Sequence, residues 1–386
     1  MSDLAESQRR LFTGRRSLSR KLPLPRIHTS YFHGSSPPEP ALLFFSSLRR
    51  THIHVRLTTP STPAILDVDT GLDDAYALMF AARCPGIDLL GVTCVAGNVG
   101  VGQVVRNTLD VLDMSGAAEV PVASGATAPL VDDHRSADHY HGENGVGGVQ
   151  LPRSPRQPVE EPATEFLYRL LSESSRPVTL IALAPLTNIA LLLRAYPQAR
   201  THIDRIVWMG GARRYGNVTA SAEFNAWSDP EAAHEVLHNG IPITLYPLEP
   251  FYTVTVSHER VARYTSAEDA RIRTLGQMLA YSQTRNAGET RIPDPTASCL
   301  GDAGAVMSVA APELTTVSRL AVDIELNGSL TRGRTVMDER RSQTDTQKTG
   351  ATIHTQVITE VDYEAMEQLF VNTVIAGEET CQKSSS

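Results

Sequence analysis

The sequence predicts an α/β protein: a doubly wound, mainly parallel central sheet with helices on both faces. Three observations carry that expectation. Short apolar runs alternate with helically spaced segments, polar motifs follow directly after the apolar runs, and no apolar run approaches 18 residues. Strands separated by helices pair in parallel, because each return passes over a face of the sheet. Ligands of such sheets bind beyond the carboxyl ends of the strands.

Taken in order, Ala64–Val68 reads as a strand. Asp74–Cys84 follows as a helix, from the spacing of Ala77, Leu78, Phe80 and Ala81. Leu89–Ala96 and Val101–Met114 repeat the pair. Val178–Leu183 leads into a helix over Asn188–Tyr196. Arg205–Met209 leads by a long loop to a helix opened by Pro230 and running to His238, and Ile243–Tyr246 is a further strand. Leu320–Leu326 and Thr352–Val361 read as extended, with a polar loop near 338–350, and Tyr363–Val374 closes the domain as a helix. The expected organisation is a basic Arg/Ser-rich extension over 1–62, one domain over 63–376 and a polar tail over 377–386.

Charge separates the extension from the rest. The chain carries 35 Lys/Arg against 43 Asp/Glu, yet residues 1–60 hold ten basic residues and three acidic ones. An Arg/Ser-rich, acid-poor start suits a mitochondrial transit peptide, or a disordered extension or start-site artefact; without a transit peptide the expected location is cytoplasmic. The acidic body disfavours nucleic acid, whose binding relies on Lys/Arg contacts to phosphate. A small molecule or a cation fits better, and no membrane partner is expected. Cys84, Cys94, Cys299 and Cys381 form no Cys-x-x-Cys pair and no zinc spacing.

The chemistry concentrates in Asp67-Val-Asp69-Thr-Gly-Leu-Asp73-Asp74. Two acids at a helix start are ordinary capping. Four converging on one turn repel one another, and each resists losing its water. A bound cation removes the conflict, and oxygen-only ligation points to Ca²⁺ or Mg²⁺. An EF-hand is excluded, because Gly71 stands at the fifth loop position and Leu78 at the twelfth. Asp67-Val-Asp69-Thr70 also spells the D-x-D-x-T motif of Mg²⁺-dependent haloacid dehalogenase-type phosphatases. Those need a downstream Lys, and none occurs between Thr70 and Thr331. A second cluster, Asn217, Glu223 and Asn225 before Asp229-Pro230, offers the carboxamides and carboxylate that suit sugar hydroxyls.

Asp67–Ala75, Val95–Asn98, His141-Gly-Glu-Asn-Gly145, Ala184–Asn188, Met209–Gly211 and Asn217…Asp229-Pro-Glu-Ala-Ala233 occur in one order. In that order they resemble the inosine–uridine nucleoside hydrolases, calcium-dependent ribonucleoside N-glycosidases. The resemblance covers roughly 63–376. It implies hydrolysis of the N-glycosidic bond of ribonucleosides to free base and ribose, in a homodimer or homotetramer. It implies one Ca²⁺ held by Asp69, Asp74, the Thr187 carbonyl and Asp294, with Asp67 supporting the loop. Asp69 would deprotonate the attacking water. Asp73, Asn98, Asn225 and Asp294 would grip the 2′- and 3′-hydroxyls, Asn217 and Glu223 the 5′-hydroxyl, and Met209 would line the pocket.

One departure stands out. Members of the family commonly place a His, credited with protonating the leaving base, immediately before the last metal-binding Asp. With Asp294 as that Asp, the position is Pro293, which donates no proton. Either the base leaves by stacking, or another donor serves, with His141 the candidate, or the chain binds nucleosides with little turnover. Trp208 reads as core; His139, Tyr140 and His141 lie in a polar Gly-flanked loop of the kind that closes over ligands.

Overall fold

The computed structural model describes residues 61–340 and 352–375. The extension up to residue 60, the tail from 377 and most of the loop near 338–350 lie outside the described residues. Four strand–helix steps open the chain: β1 (Thr62–Val68) and α1 (Leu72–Arg83), β2 (Ile87–Cys94) and α2 (Val101–Met114), β3 (Val122–Ser124) with α3 (Asp138–His141) and α4 (Ala163–Glu173), then β4 (Val178–Ala182) and α5 (Thr187–Ala195). β5 (Ile203–Met209) leads to α6 (Phe224–Ser228) and α7 (Pro230–Leu237), and β6 (Ile243–Tyr246) to α8 (Leu248–Thr253). A short excursion follows: β7 (Thr255–Val256), α9 (His258–Thr265), α10 (Ala270–Arg285), β8 (Ser298–Cys299) and α11 (Ala303–Ala310). β9 (Thr315–Ile324), β10 (Thr335–Asp338), β11 (Thr352–Val361) and α12 (Tyr363–Ile375) complete the described chain.

Nine strands form one sheet in the order β10-β9-β11-β6-β5-β4-β1-β2-β3. Pairing is parallel from β3 through to β11, and β9 is antiparallel to both β11 and β10. The predicted doubly wound sheet is therefore observed, with an antiparallel edge. The central strand β4 is buried at every residue, as a strand covered on both faces must be. One core packs α1, α2, α11 and α12 against the sheet; the other packs α4, α5 and α7 against the opposite face. Cys84, Cys94 and Cys299 are buried free thiols within the first of these.

From β1 the chain order runs outward to β2 and β3 on one side and to β4, β5 and β6 on the other. The crevice between β1 and β4 is thus the switch point, where such sheets hold ligands. Their register sets Asp67 beside Ala182, so the chain leaves both strands at one level. No helix among the described residues is long and apolar enough to cross a membrane.

Candidate active site

A cavity of about 220 Å³ opens at that switch point. Its floor is built by the turn after β1. Asp69 is buried, and its Oδ2 accepts the Asn98 amide at 2.7 Å. The Asp69 amide donates to Asp74 Oδ1 (3.3 Å), while Asp74 Oδ2 accepts from the Gly71 amide (3.0 Å) and Asn98 Nδ2 (3.2 Å). Gly97 makes the close approach feasible, because a Cβ there would stand 2.0 Å from Asp69 Oδ2. Asp67 faces elsewhere. Its Oδ1 accepts from Thr93 Oγ1 (2.6 Å) and Asn188 Nδ2 (2.8 Å), tying β1 to its neighbours beneath the turn.

One carboxylate oxygen from each of Asp73, Asp74 and Asp302 lies within 4.8 Å of the others. Oxygens around one calcium at 2.3–2.6 Å cannot stand farther apart than roughly 5 Å, so the three fit a single hard ion. Asp69 Oδ1 and Asp73 Oδ1 are buried without a hydrogen-bond partner, which leaves two acceptors aimed at no donor. Burial pushes Asp69 and Asp302 well above the usual carboxylate range and Asp74 up to about 7, and the neighbouring acids reinforce each shift. The residues present therefore fit a cation of the calcium or magnesium type.

The structure sets the expected last acid apart from the other carboxylates. Asp294 is exposed, and its Oδ1 accepts from the amide and hydroxyl of Thr296 in a local turn. Asp302, at the start of α11, is the acid that reaches the cluster. The position before it is Gly301, not Pro293, and Gly301 has φ +53°, where a Cβ would stand 2.8 Å from Asp73 and from the Phe251 ring. Thr187 is likewise displaced from its expected place. It opens α5 and donates its hydroxyl to Asp229 (2.6 Å), whereas Leu183, directly after β4, lines the cavity.

The sugar-binding expectation maps onto one wall. Glu223 caps α6: its Oε1 accepts the Asn225 amide (2.7 Å), and its Oε2 accepts those of Gly211 (2.8 Å) and Ala226 (3.0 Å). Burial still holds its carboxyl up at about 7. Asn225 Nδ2 donates to the carbonyls of Leu183 (2.9 Å) and Met209 (3.0 Å), and no donor to its Oδ1 is seen among the described residues. Asn217 is exposed at the rim, its Oδ1 accepting the Phe224 amide at 2.9 Å. Asn98, Met209, Asn217, Glu223 and Asn225 all line the cavity.

His141 is buried in the opposite wall, and its Nδ1 accepts the Leu72 amide at 3.2 Å. The ring proton therefore sits on Nε2. Burial lowers the imidazole's pKa, against the pull of Asp73 at 3.9 Å. In this state His141 is a neutral hydrogen-bond donor; a second proton would cost it the Leu72 contact. Trp208 is core, donating from Nε1 to the Ala184 carbonyl at 3.3 Å. His139 and Tyr140 line the cavity, joined by Arg285 at the end of α10 and by Asn286, Glu289 and Arg291 just after it. Sequence reasoning passed over these last four and Asp302. The signal for Asp302 was present: Cys299-Leu-Gly-Asp302-Ala-Gly-Ala305 is a strand end, an acid and a small-residue helix start.

Comparison with known proteins agrees with this geometry. The family model described as inosine-uridine preferring nucleoside hydrolase matches residues 64–368. The pyrimidine-specific ribonucleoside hydrolase RihA of Shewanella woodyi is 38% identical over 280 residues, 72% of this chain and 88% of the relative. The non-specific ribonucleoside hydrolase RihC of Klebsiella pneumoniae is 36% identical over 308 residues, 79% and 96% of the two chains. Among solved structures, a plant nucleoside hydrolase superposes with a TM-score of 0.74 at 27% identity, covering 82% of this chain and all of the other. A purine-preferring ribonucleoside hydrolase from Gardnerella vaginalis gives 0.74 at 29%, covering 81% and 98%. Sequence and fold thus converge, and the chain belongs to the inosine-uridine preferring nucleoside hydrolase family, enzymes that hydrolyse the N-glycosidic bond of nucleosides.

Proposed function

We propose that the protein cleaves ribonucleosides on a calcium site formed by Asp69, Asp73, Asp74 and Asp302, with the Leu183 carbonyl beside them. The observation that supports this most is the convergence of one oxygen each from Asp73, Asp74 and Asp302, with Asp69 Oδ1 and Asp73 Oδ1 buried and without a donor. When bound there, the cation supplies charge that orients water and sugar hydroxyls and acidifies that water. Asp69 is held by the Asn98 amide through one oxygen, so the other is the free base that takes the water's proton. The Oδ1 of Asn225 accepts from a ribose hydroxyl, and Asn98 and Asp73 bracket the same face. Pinning the ring in this way raises the fraction of reactive geometries. The acid-lined wall favours the positive charge that develops on the sugar as the bond breaks, as in glycoside hydrolysis.

His141 assists the departing base as a hydrogen-bond donor through Nε2, in a site where Gly301 offers no side chain. The relatives include pyrimidine-specific, non-specific and purine-preferring enzymes, and base choice is assigned to the rim of Tyr140, Asn286 and Arg291. The test is a panel of ribonucleosides incubated with and without a chelator, read as free base and ribose. Base release that stops on chelation and returns with calcium supports the reading. Tight nucleoside binding with no release would instead favour a binding protein.

A further inference from the structure

The described chain holds a second cluster of metal-type donors, built on the C-terminal end of α7 and on β9, the strand next to the edge strand β10. His234 in α7 and His238, the residue that caps its C-terminal end, stand one helical turn apart, so their rings share a side of the helix, with centroids 4.2 Å apart. Asp323 on β9 faces them, its Oδ1 3.0 Å from His234 Nδ1 and its Oδ2 3.8 Å from His238 Nε2. We propose that His234, His238 and Asp323 form a binding site for a divalent transition ion, zinc first among them, separate from the all-oxygen cluster of the cavity.

The geometry supports this beyond the residue types. Ligands of a tetrahedral zinc at about 2.0–2.1 Å stand roughly 3.3 Å apart, and the two observed separations bracket that value. His238 Nδ1 lies 2.8 Å from the His234 carbonyl, which it serves as donor, so its Nε2 lone pair is the one turned to Asp323. A ring fixed through its other nitrogen by a carbonyl is how proteins orient ligating histidines. No guanidinium or ammonium pairs with Asp323 among the described residues; besides the histidines, its Oδ1 accepts only the Ile324 amide, at 2.8 Å. Imidazole nitrogen with one carboxylate suits zinc, copper or nickel, whereas calcium prefers oxygen alone. His238 is exposed, so a water or another ligand completes the shell from solvent. An ion there clips α7 to β9.

The experiment uses the untagged full chain, stripped by chelation and then saturated with calcium. Zinc is titrated calorimetrically and cobalt by its visible absorption, for the wild type and for His234→Ala, His238→Ala and Asp323→Asn. The wild type should bind one more equivalent than each variant, and zinc should raise its melting midpoint but not theirs. Nucleoside hydrolysis should be unchanged in all four, which also shows that the variants fold. Equal zinc uptake and identical cobalt spectra in wild type and variants would overturn the proposal. Should one alanine variant fail to fold, the exposed His238→Gln carries the same comparison.

Discussion

The floor and the rim of the cavity are built on different principles. On the floor and the wall beside it, Asp69, Asp74 and Glu223 are buried and tied to main-chain amides of the loops that leave β1, β2 and β5. Those loops start where the sheet ends, so the sheet fixes the carboxylates. At the rim, side chains hold one another. Tyr140 donates to Asn286 Oδ1 (2.5 Å), Arg291 stacks over Tyr252 at 4.2 Å and pairs with Glu289 at 2.6 Å, and Arg291 donates to the Tyr215 and Gly216 carbonyls. Amide-held groups move little, while partly exposed ion pairs contribute little stability and rearrange readily. On the proposed function, the difference assigns the chemistry to the floor and the choice of base to the rim.

The sharpest way to break this contrast is to exchange the two acids near α11. Asp302→Asn should cut kcat/KM by at least ~10³-fold, since charge stabilisation at such a centre is worth several kcal/mol. Asp294→Asn, at the surface, should stay within about twofold. Steady-state hydrolysis of uridine and inosine measures both, and the reverse ranking would return the exposed acid to the site.

His141 sits between the two regions, on the rim loop but bonded to the floor. His141→Ala should lower kcat by about 10²-fold, the usual cost of a donor at a developing charge. A drop confined to KM would make it a rim residue that only binds. Rim changes proper should be milder. Arg291→Ala should alter KM several-fold, and unequally for purine and pyrimidine nucleosides, with kcat nearly kept; an equal fall in kcat for every base would place Arg291 in the chemistry.

The smallest effect concerns pH. Glu223 goes from an ordinary value of 4.5 to about 7 in the fold, chiefly through burial. Between those values the folded chain keeps a proton that the unfolded chain releases, so stability falls as pH rises from about 4.5 to 7 and then levels. Glu223→Gln should flatten that part of the melting-temperature profile, whatever its absolute stability. An unchanged slope would assign it to other groups.

Much of this contrast was legible in the residues. The strand–helix rhythm gave the doubly wound sheet; Asp69, Asp74 and Asn98 stand just beyond strand ends in local motifs, and Glu223 and Asn225 stand in the polar stretch before the Pro230 helix. The departures from expectation share a cause. Asp294-Pro-Thr imitates a functional acid, but a short polar stretch satisfies itself, and here Thr296 fills the carboxylate. Asp302 is brought to Asp73 and Asp74 only by tertiary packing of α11 against α1, which no local spacing encodes. Leu183 was passed over because what it offers the cavity floor is a main-chain carbonyl, here accepting from Asn225, which side-chain identity does not reveal. The rim is a long segment after α10 whose partners are distant in sequence, Tyr140 and Tyr215 among them.

The central claim is that one cation is held by the buried carboxylates of the floor, Asp302 included. Calorimetric titration of the chelator-stripped protein with calcium tests it directly. Wild type and Asp294→Asn should each bind one equivalent at the floor with equal affinity, and Asp302→Asn should bind it at least ~10-fold more weakly. Undiminished calcium binding by a folded Asp302→Asn protein, or its loss in Asp294→Asn, would contradict the account.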